Sequence, residues 1–411
     1  MNRQVACKMK RVVGATLLLT AMTTYAEPAD LPNLQPGQWA KISLNTINDV
    51  NPCPGDGCSY SAVEGISGVI DDWNGGAFAT GIGTLGGLIV FGGGHNGYFG
   101  NEVYVFELDT QRWVRYSDPV LNPTCNYSTA ELQDGSPCSM HTYDYVDYHP
   151  GTNSFVLLGA TSLHEEGGRG VAIPHLFDLD TRTWRSGPKR PFGTGLFTGA
   201  YSAYVPDRDI FWIVQAYDSD ISTYDPNGNN GAGSWKQYSN FNIDIDSASS
   251  IDPIHDLLVT VDGLNKNRIV VHDLTDPNAG PVTVSTSGDS KLQSETKIGF
   301  EWDPVMKSFV AWNGGASVHS LKPPSDNWRN NTWIWSRHDA AADNAVVPTA
   351  PNSNGTYSRW RYVPSLNAFI VVNRTSDPVF LYKLSEGQGE PPPPVEPTVA
   401  PMPPTNLRGN Y

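Results

Sequence analysis

The chain has 411 residues, 39% of them hydrophobic, 17% charged and 11% aromatic, with 40 glycines and 32 prolines. A chain this aromatic and this sparsely charged has a core to bury, which excludes disorder for most of its length; the glycines show no three-residue period, which excludes collagen. Twenty-seven basic residues against 42 acidic ones give a net charge of −15, a field that repels nucleic acid and anionic membrane at long range.

In chain order, residues 1–26 read as a secretory signal. Lys8 to Arg11 form its basic region, Val12 to Met22 its apolar region, and Thr24-Tyr25-Ala26 a small-residue cleavage site. The expected location is therefore secreted or periplasmic. No later apolar run reaches the length of a membrane span. Cys7 leaves with the signal. In an oxidising compartment the four remaining cysteines read as two local disulfides, Cys53 with Cys58 and Cys125 with Cys138, both in loops rich in Pro, Gly and Asn. A zinc site is the weaker reading, because neither pair has a second pair at zinc-ligand spacing.

Residues 27–385 read as one domain built from an internal repeat. An apolar strand ending in small residues, a loop, a second strand and a polar turn recur, often followed by Trp. Leu88–Phe91 with Tyr104–Trp113, and Phe155–Leu158 with Leu176–Trp184, are the clearest copies. From the second copy onward, each is preceded by another strand and a proline turn: Tyr148-His-Pro150, Tyr204-Val-Pro206, Ile251-Asp-Pro253, Trp302-Asp-Pro304 and Tyr362-Val-Pro364. Four short antiparallel strands at a period of roughly fifty residues make a propeller blade. The fold class is all-β, a β-propeller of six four-stranded blades, with room for a degenerate seventh in residues 44–80 or 117–140. The sixth copy stops at Leu384 one strand short, and Gly37–Ser43 has the character of the missing strand, so the N-terminal strand is expected to close the ring. Residues 386–411, with Pro391–Pro394 and four further prolines, read as a stiff, extended linker or tail.

In such a blade the entrance to the innermost strand and the loop between the second and third strands share one end. Those loops hold His95, His164, Tyr217, Asn265 with Lys266, and Arg374; the entrances hold His141, Tyr201 and Arg359. Each has a structural alternative: a histidine bonding backbone carbonyls, a core tyrosine, an arginine in an ion pair. Taken together, a mouth rich in His, Tyr, Asn and Arg suits β-elimination at a uronate. That chemistry requires a cation beside the carboxylate, a base for the C5 proton and an acid for the leaving oxygen. Hydrolysis fits less well, since it wants a carboxylate pair. No phosphate loop, HExxH or GxSxG motif occurs. No metal-ligand cluster declares itself, so no cofactor is assigned and the metal question stays open; a divalent cation, calcium or zinc, could brace a loop or neutralise a substrate carboxylate. The alternative reading is a monomeric propeller that binds glycan or protein without catalysis.

Trp73-Asn-Gly-Gly-Ala77, Gly92-Gly-Gly-His-Asn-Gly-Tyr-Phe-Gly-Asn-Glu-Val-Tyr104 and His141-Thr-Tyr143 resemble secreted bacterial kelch-like propellers, and among these the propeller-fold ulvan lyases. The resemblance covers residues 60–240. It implies cleavage of a sulfated, uronate-containing algal polysaccharide. His141 and His164 would be the catalytic pair, and Tyr201 or Tyr217 the proton donor or base. His95, Asn265, Lys266, Arg359 and Arg374 would hold the substrate.

Overall fold

A computed structural model describes residues 31, 33–53, 58–163, 166–193, 199, 201–215, 221–238, 244–264, 266–387 and 389. The expected signal segment, the Pro-rich tail beyond residue 389, and His164, Tyr217 and Asn265 lie outside the described residues.

The first strand, β1 (Trp39–Lys41), belongs to the last blade. Blade 1 is β2 (Gly76–Ala79), β3 (Gly87–Val90), β4 (Tyr104–Glu107) and β5 (Arg112–Arg115). In blade 2, β6 (Val146–His149) and β7 (Ser154–Leu157) are followed by an inserted hairpin, β8 (Ala160–Leu163) and β9 (Glu166–Val171). The blade then resumes with β10 (His175–Asp178) and β11 (Thr183–Ser186). Blade 3 is β12 (Tyr201–Val205), β13 (Ile210–Val214), β14 (Ile221–Asp225) and β15 (Ser234–Gln237). Blade 4 is β16 (Ala248–Asp252), β17 (Leu257–Asp262), β18 (Arg268–Asp273) and β19 (Val282–Val284). Blade 5 gains an outer fifth strand, β20 (Thr286–Gly288), parallel to the last of β21 (Gly299–Asp303), β22 (Ser308–Trp312), β23 (Val318–Lys322) and β24 (Trp333–His338). Blade 6 is β25 (Arg361–Val363), β26 (Ala368–Val371) and β27 (Phe380–Tyr382), completed by β1.

The closing strand is the one expected. Trp39 pairs with Tyr382, Ala40 with Leu381 and Lys41 with Phe380, antiparallel. The innermost strands β2, β6, β12, β16, β21 and β25 touch in that order, and β25 returns to β2. The fold is therefore a six-bladed β-propeller. Among the described residues, the two stretches with room for a seventh blade hold no further blade. Residues 47–53 and 58–71 make short turns and a one-turn helix, α1 (Gly68–Asp71). Residues 117–140 make only isolated bridges. Both expected disulfides form, one in each loop. No helix among the described residues is long and apolar enough to cross a membrane.

Packing follows from the strand pattern. The core falls into six clusters, one in each gap between neighbouring blades. Ile89 and Val105 of blade 1 meet Phe155 and Phe177 of blade 2, and Trp184 lies with its ring 5.4 Å from Phe91. Blades 2 and 3 share Val156 and Ile213, blades 3 and 4 Trp212 and Leu258, blades 4 and 5 Val259 and Phe309. Blades 5 and 6 share Trp312 and Phe369, and blades 6 and 1 Ile370 and Leu88. Central strands buried on both faces need apolar side chains on both, which is why they read as continuous apolar runs rather than alternating ones.

Candidate functional site at one mouth of the channel

Just before each innermost strand, one residue takes a left-handed backbone conformation: Trp73 (φ 50), Tyr143 (φ 43), Gly199 (φ 65), Asp246 (φ 63), Lys297 (φ 58) and Tyr357 (φ 48). Only one of the six is glycine. Left-handed Trp, Tyr and Lys residues are strained, and strain of this kind persists only where the surroundings over-determine it. Here hydrogen bonds between blades do so. The Tyr143 amide donates to the Trp73 carbonyl (2.7 Å), Lys297 to Asp246 (2.8 Å) and Tyr357 to Lys297 (3.2 Å).

The side chains of this ring meet one another and a histidine. The His141 ring lies 5.1 Å from Trp73 and 5.8 Å from Tyr143. Tyr143 meets Tyr357 edge-on at 5.9 Å, and the Tyr357 hydroxyl donates to Asp246 Oδ1 (2.8 Å). Asp246 Oδ2 is 3.6 Å from Lys297 Nζ, which stands 5.6 Å from the Trp73 ring centroid. The circuit links blades 1, 2, 4, 5 and 6, so these side chains converge near the axis.

His141 and His95 form a directional pair. His141 is buried, and its Nδ1 lies 2.6 Å from the backbone carbonyl oxygen of Asp72. A carbonyl only accepts, so Nδ1 carries the proton and Nε2 is a bare lone pair. His95 Nδ1, 3.0 Å from that lone pair, must then donate to it, leaving His95 Nε2 as the acceptor. Burial pulls His141 down to about 4, so it stays neutral at neutral pH. The Gly92-Gly-Gly-His95 loop is what brings the pair together. Gly94 (φ +65) presses its backbone on His141, where an added Cβ would sit 2.0 Å from Cε1. The Gly93 amide donates to the Met140 carbonyl (3.1 Å), and Ser139 Oγ donates to the Tyr98 carbonyl (2.7 Å).

Cations at this mouth are each answered by an acid. Arg374 Nη1 is 3.6 Å from Asp71, and Lys266 Nζ is 3.3 Å from Asp244. Beneath the pair, burial and the neighbouring Glu64 push the Asp72 carboxyl up to about 8.

Two sequence candidates lie deeper than the mouth. Tyr201 is fully enclosed in β12, and burial raises its hydroxyl far above the usual phenol range. Arg359 is also enclosed. Its Nε donates to the Val372 carbonyl (3.0 Å), Nη2 to Gly355 (2.6 Å) and Nη1 to Asn74, so its guanidinium stitches blade 6 to the entrance of blade 1. The structure thus joins His95 with His141 and leaves Arg374 and Lys266 on the rim. Asp246, Lys297 and Tyr357 have no place in the sequence-derived set, and Trp73 and Tyr143 enter it only within the resembling motifs, with no role assigned. Their common signal is position, two to four residues before an innermost strand. Among the described residues, no three His, Cys, Asp or Glu side chains gather as a metal site would require.

No protein-family profile matches the chain, and no curated protein matches it. Among solved structures, one titled "Crystal Structure of Mitotic Checkpoint Complex" is similar over 89% of this chain and 99% of that one. It is 11% identical with a TM-score of 0.40, too distant to carry an argument about activity.

Proposed function

We propose that this mouth cleaves a uronate-containing polysaccharide by β-elimination, outside the cytoplasm, where the two disulfides persist. The observation that carries the reading is the Asp72 carbonyl–His141–His95 chain, which leaves His95 Nε2 as an oriented base. His95 takes the C5 proton of the uronate. The electron pair forms the C4–C5 double bond, the C4–O bond breaks, and the leaving oxygen takes a proton from Tyr143. His141 is a positioning residue: it accepts the His95 Nδ1–H before and after proton transfer, so the ring does not turn. Lys297 and Arg374 exchange their carboxylate partners for that of the substrate and make the C5 proton acidic. Trp73, half-buried at the rim, offers a face for a sugar ring. A sulfated, ulvan-like polymer is the first substrate to try.

The test is incubation with a panel of uronate polysaccharides, followed by the ultraviolet absorbance of the unsaturated product. We expect His95→Gln to lower kcat by at least about 100-fold, the scale of general-base catalysis. His141→Ala should lower kcat with little change in KM, and His255→Gln, in a turn at the far end of the blades, should leave both unchanged. Product formation that survives His95→Gln would overturn the assignment. Binding of a polymer without any product would favour the second reading, a non-catalytic glycan-binding ring, for which the Trp73 platform suffices.

A further inference from the structure

The Pro-rich segment has no part in the mouth described above, and the chain leads it to the opposite face of the ring. β27, third from the hub in blade 6, runs toward that face. Beyond it the chain turns inward, toward the turn that joins β25 to β26. Asn367 in that turn guides it: Nδ2 donates to the Glu386 carbonyl (3.1 Å) and to those of Ser385 and Gly387 (both 3.4 Å). Lys383 Nζ donates to the Gly387 carbonyl (2.8 Å) and to that of Leu366 in the turn (3.3 Å). Gly389, the last described residue, lies against the backbone of Pro364–Leu366 with no room for a Cβ. Pro364 also lines the channel, so Gly389 stands at the rim of its far opening.

At that opening a cavity of about 310 Å³ is lined by Phe78, Tyr204, Trp302 and Tyr362, at matching positions in four blades, and by the prolines of four strand-ending turns. Tyr362 is tied to the guide residue, its hydroxyl donating to Asn367 Oδ1 (3.1 Å). Two of the proline turns carry apolar side chains into solvent beside the cavity, Ile254 (52% exposed) and Val305 (48%). The charges deeper inside answer one another: Arg361 Nη1 meets Glu301 (3.0 Å), and Nη2 is 3.5 Å from Asp147. What the rim offers is aromatic and apolar surface.

Aromatic-lined grooves are a recurring seat for proline helices, and the segment after Gly389 has that pattern. Glu390 is followed by Pro391–Pro394, Val395, Glu396 and Pro397. Pro391, Pro394 and Pro397 are three apart, so they share one face of a helix with three residues per turn. Proline has no backbone N–H, so burying it against these rings strands no donor where the carboxylates are already engaged. Docking from the rim is intramolecular, so a weak contact suffices.

We propose that residues 391–397 of this chain dock on the aromatic collar, through the face shared by Pro391, Pro394 and Pro397, and cover the channel at the end opposite the mouth. The inference is independent of the elimination reading.

The experiment places the photo-crosslinker p-benzoylphenylalanine at position 395 of the full chain in place of Val395. The protein is irradiated at low concentration and the joined peptides are mapped by mass spectrometry. We expect cross-links within one chain to the peptides that hold Tyr204, Ile254 or Val305. Ile254→Glu combined with Val305→Glu should lower their yield at least about five-fold, the scale of a lost apolar contact. Serine at all four of Pro391–Pro394 should lower it as much, and decides the matter if the double glutamate variant does not fold. His95→Gln should leave the yield unchanged. No cross-link, cross-links scattered over the surface, cross-links only between two chains, which would give this face to a second copy, or an undiminished yield in the serine variant would overturn the proposal.

Discussion

Gly94 shows how much one hydrogen in place of a methyl decides. Its Cα lies against the His141 ring, so Gly94→Ala meets both the left-handed backbone and an atom 2.0 Å away. The ring has to move, and the 3.0 Å bond to His95 goes with it. We expect Gly94→Ala to fold, to lose about 1–3 kcal/mol of stability as overpacked sites do, and to change the imidazole ¹⁵N signals of His95 and His141. Unchanged imidazole signals would show that the pair does not depend on this close approach. The sequence placed His95 in a loop at the mouth, after three glycines. That Gly94 lies against His141, and that His141 fixes which nitrogen of His95 is left to act, was not legible there.

The ring is held shut by β1. Trp39 ties it to blades 5 and 6. It lies 5.7 Å from Trp312 and 4.7 Å from Tyr382, 5.9 Å from Trp360, and its Nε1 donates to the Ala316 carbonyl in blade 5 (2.9 Å). Trp39→Ala removes a fully buried indole at the seam, and about 3–5 kcal/mol is expected to be lost. A lowered Tm with faster hydrogen exchange in β27 than in β17 would show the seam opening first; uniform exchange would show that the ring melts as one unit. The strand itself was readable because Gly37–Ser43 has strand character and the last repeat lacks a strand. The absence of a seventh blade was less readable, since residues 117–140 hold the same turn-forming residues as true blades but are closed by a disulfide into a loop.

Over the whole molecule, buried titratable groups set opposing pH trends. His141 and His175 are pulled down to about 4 and His272 to about 3, chiefly by burial. As pH falls below the ordinary 6.5, the unfolded chain takes up protons that the folded chain refuses, so stability is lost on the acid side. Asp144, enclosed near the channel axis, is pushed by burial from 3.8 up to about 8. The folded chain keeps that proton while the unfolded chain releases it, so stability falls as pH rises from 3.8 to about 8. Above about pH 7.5 the histidines of the unfolded chain are largely neutral as well, and the carboxyl effect, to which Asp72 also contributes, remains. We expect Tm to fall as pH rises above about 7.5, and Asp144→Asn to reduce that fall in a thermal melt series. An equal slope in the variant would show that Asp144 titrates normally.

The sequence by itself determined the blade strands, the closing strand and both disulfides, because each rests on local pattern: apolar runs, proline turns, and cysteines close enough in the chain to meet; the inserted hairpin β8–β9 and the outer strand β20 carried no such signal. It also placed His95 and His141 at one end, since antiparallel connectivity alternates ends. Tertiary structure alone decided which side chains meet. Arg359 and Arg361 are two residues apart with the same neighbours in sequence, yet one binds three backbone carbonyls at a seam and the other spans the channel to two carboxylates. The left-handed positions at Trp73, Tyr143, Lys297 and Tyr357 are equally silent in sequence, because their residues do not favour that conformation. The cost is met by hydrogen bonds and ring contacts from blades far away in the chain, which exist only once the ring has closed.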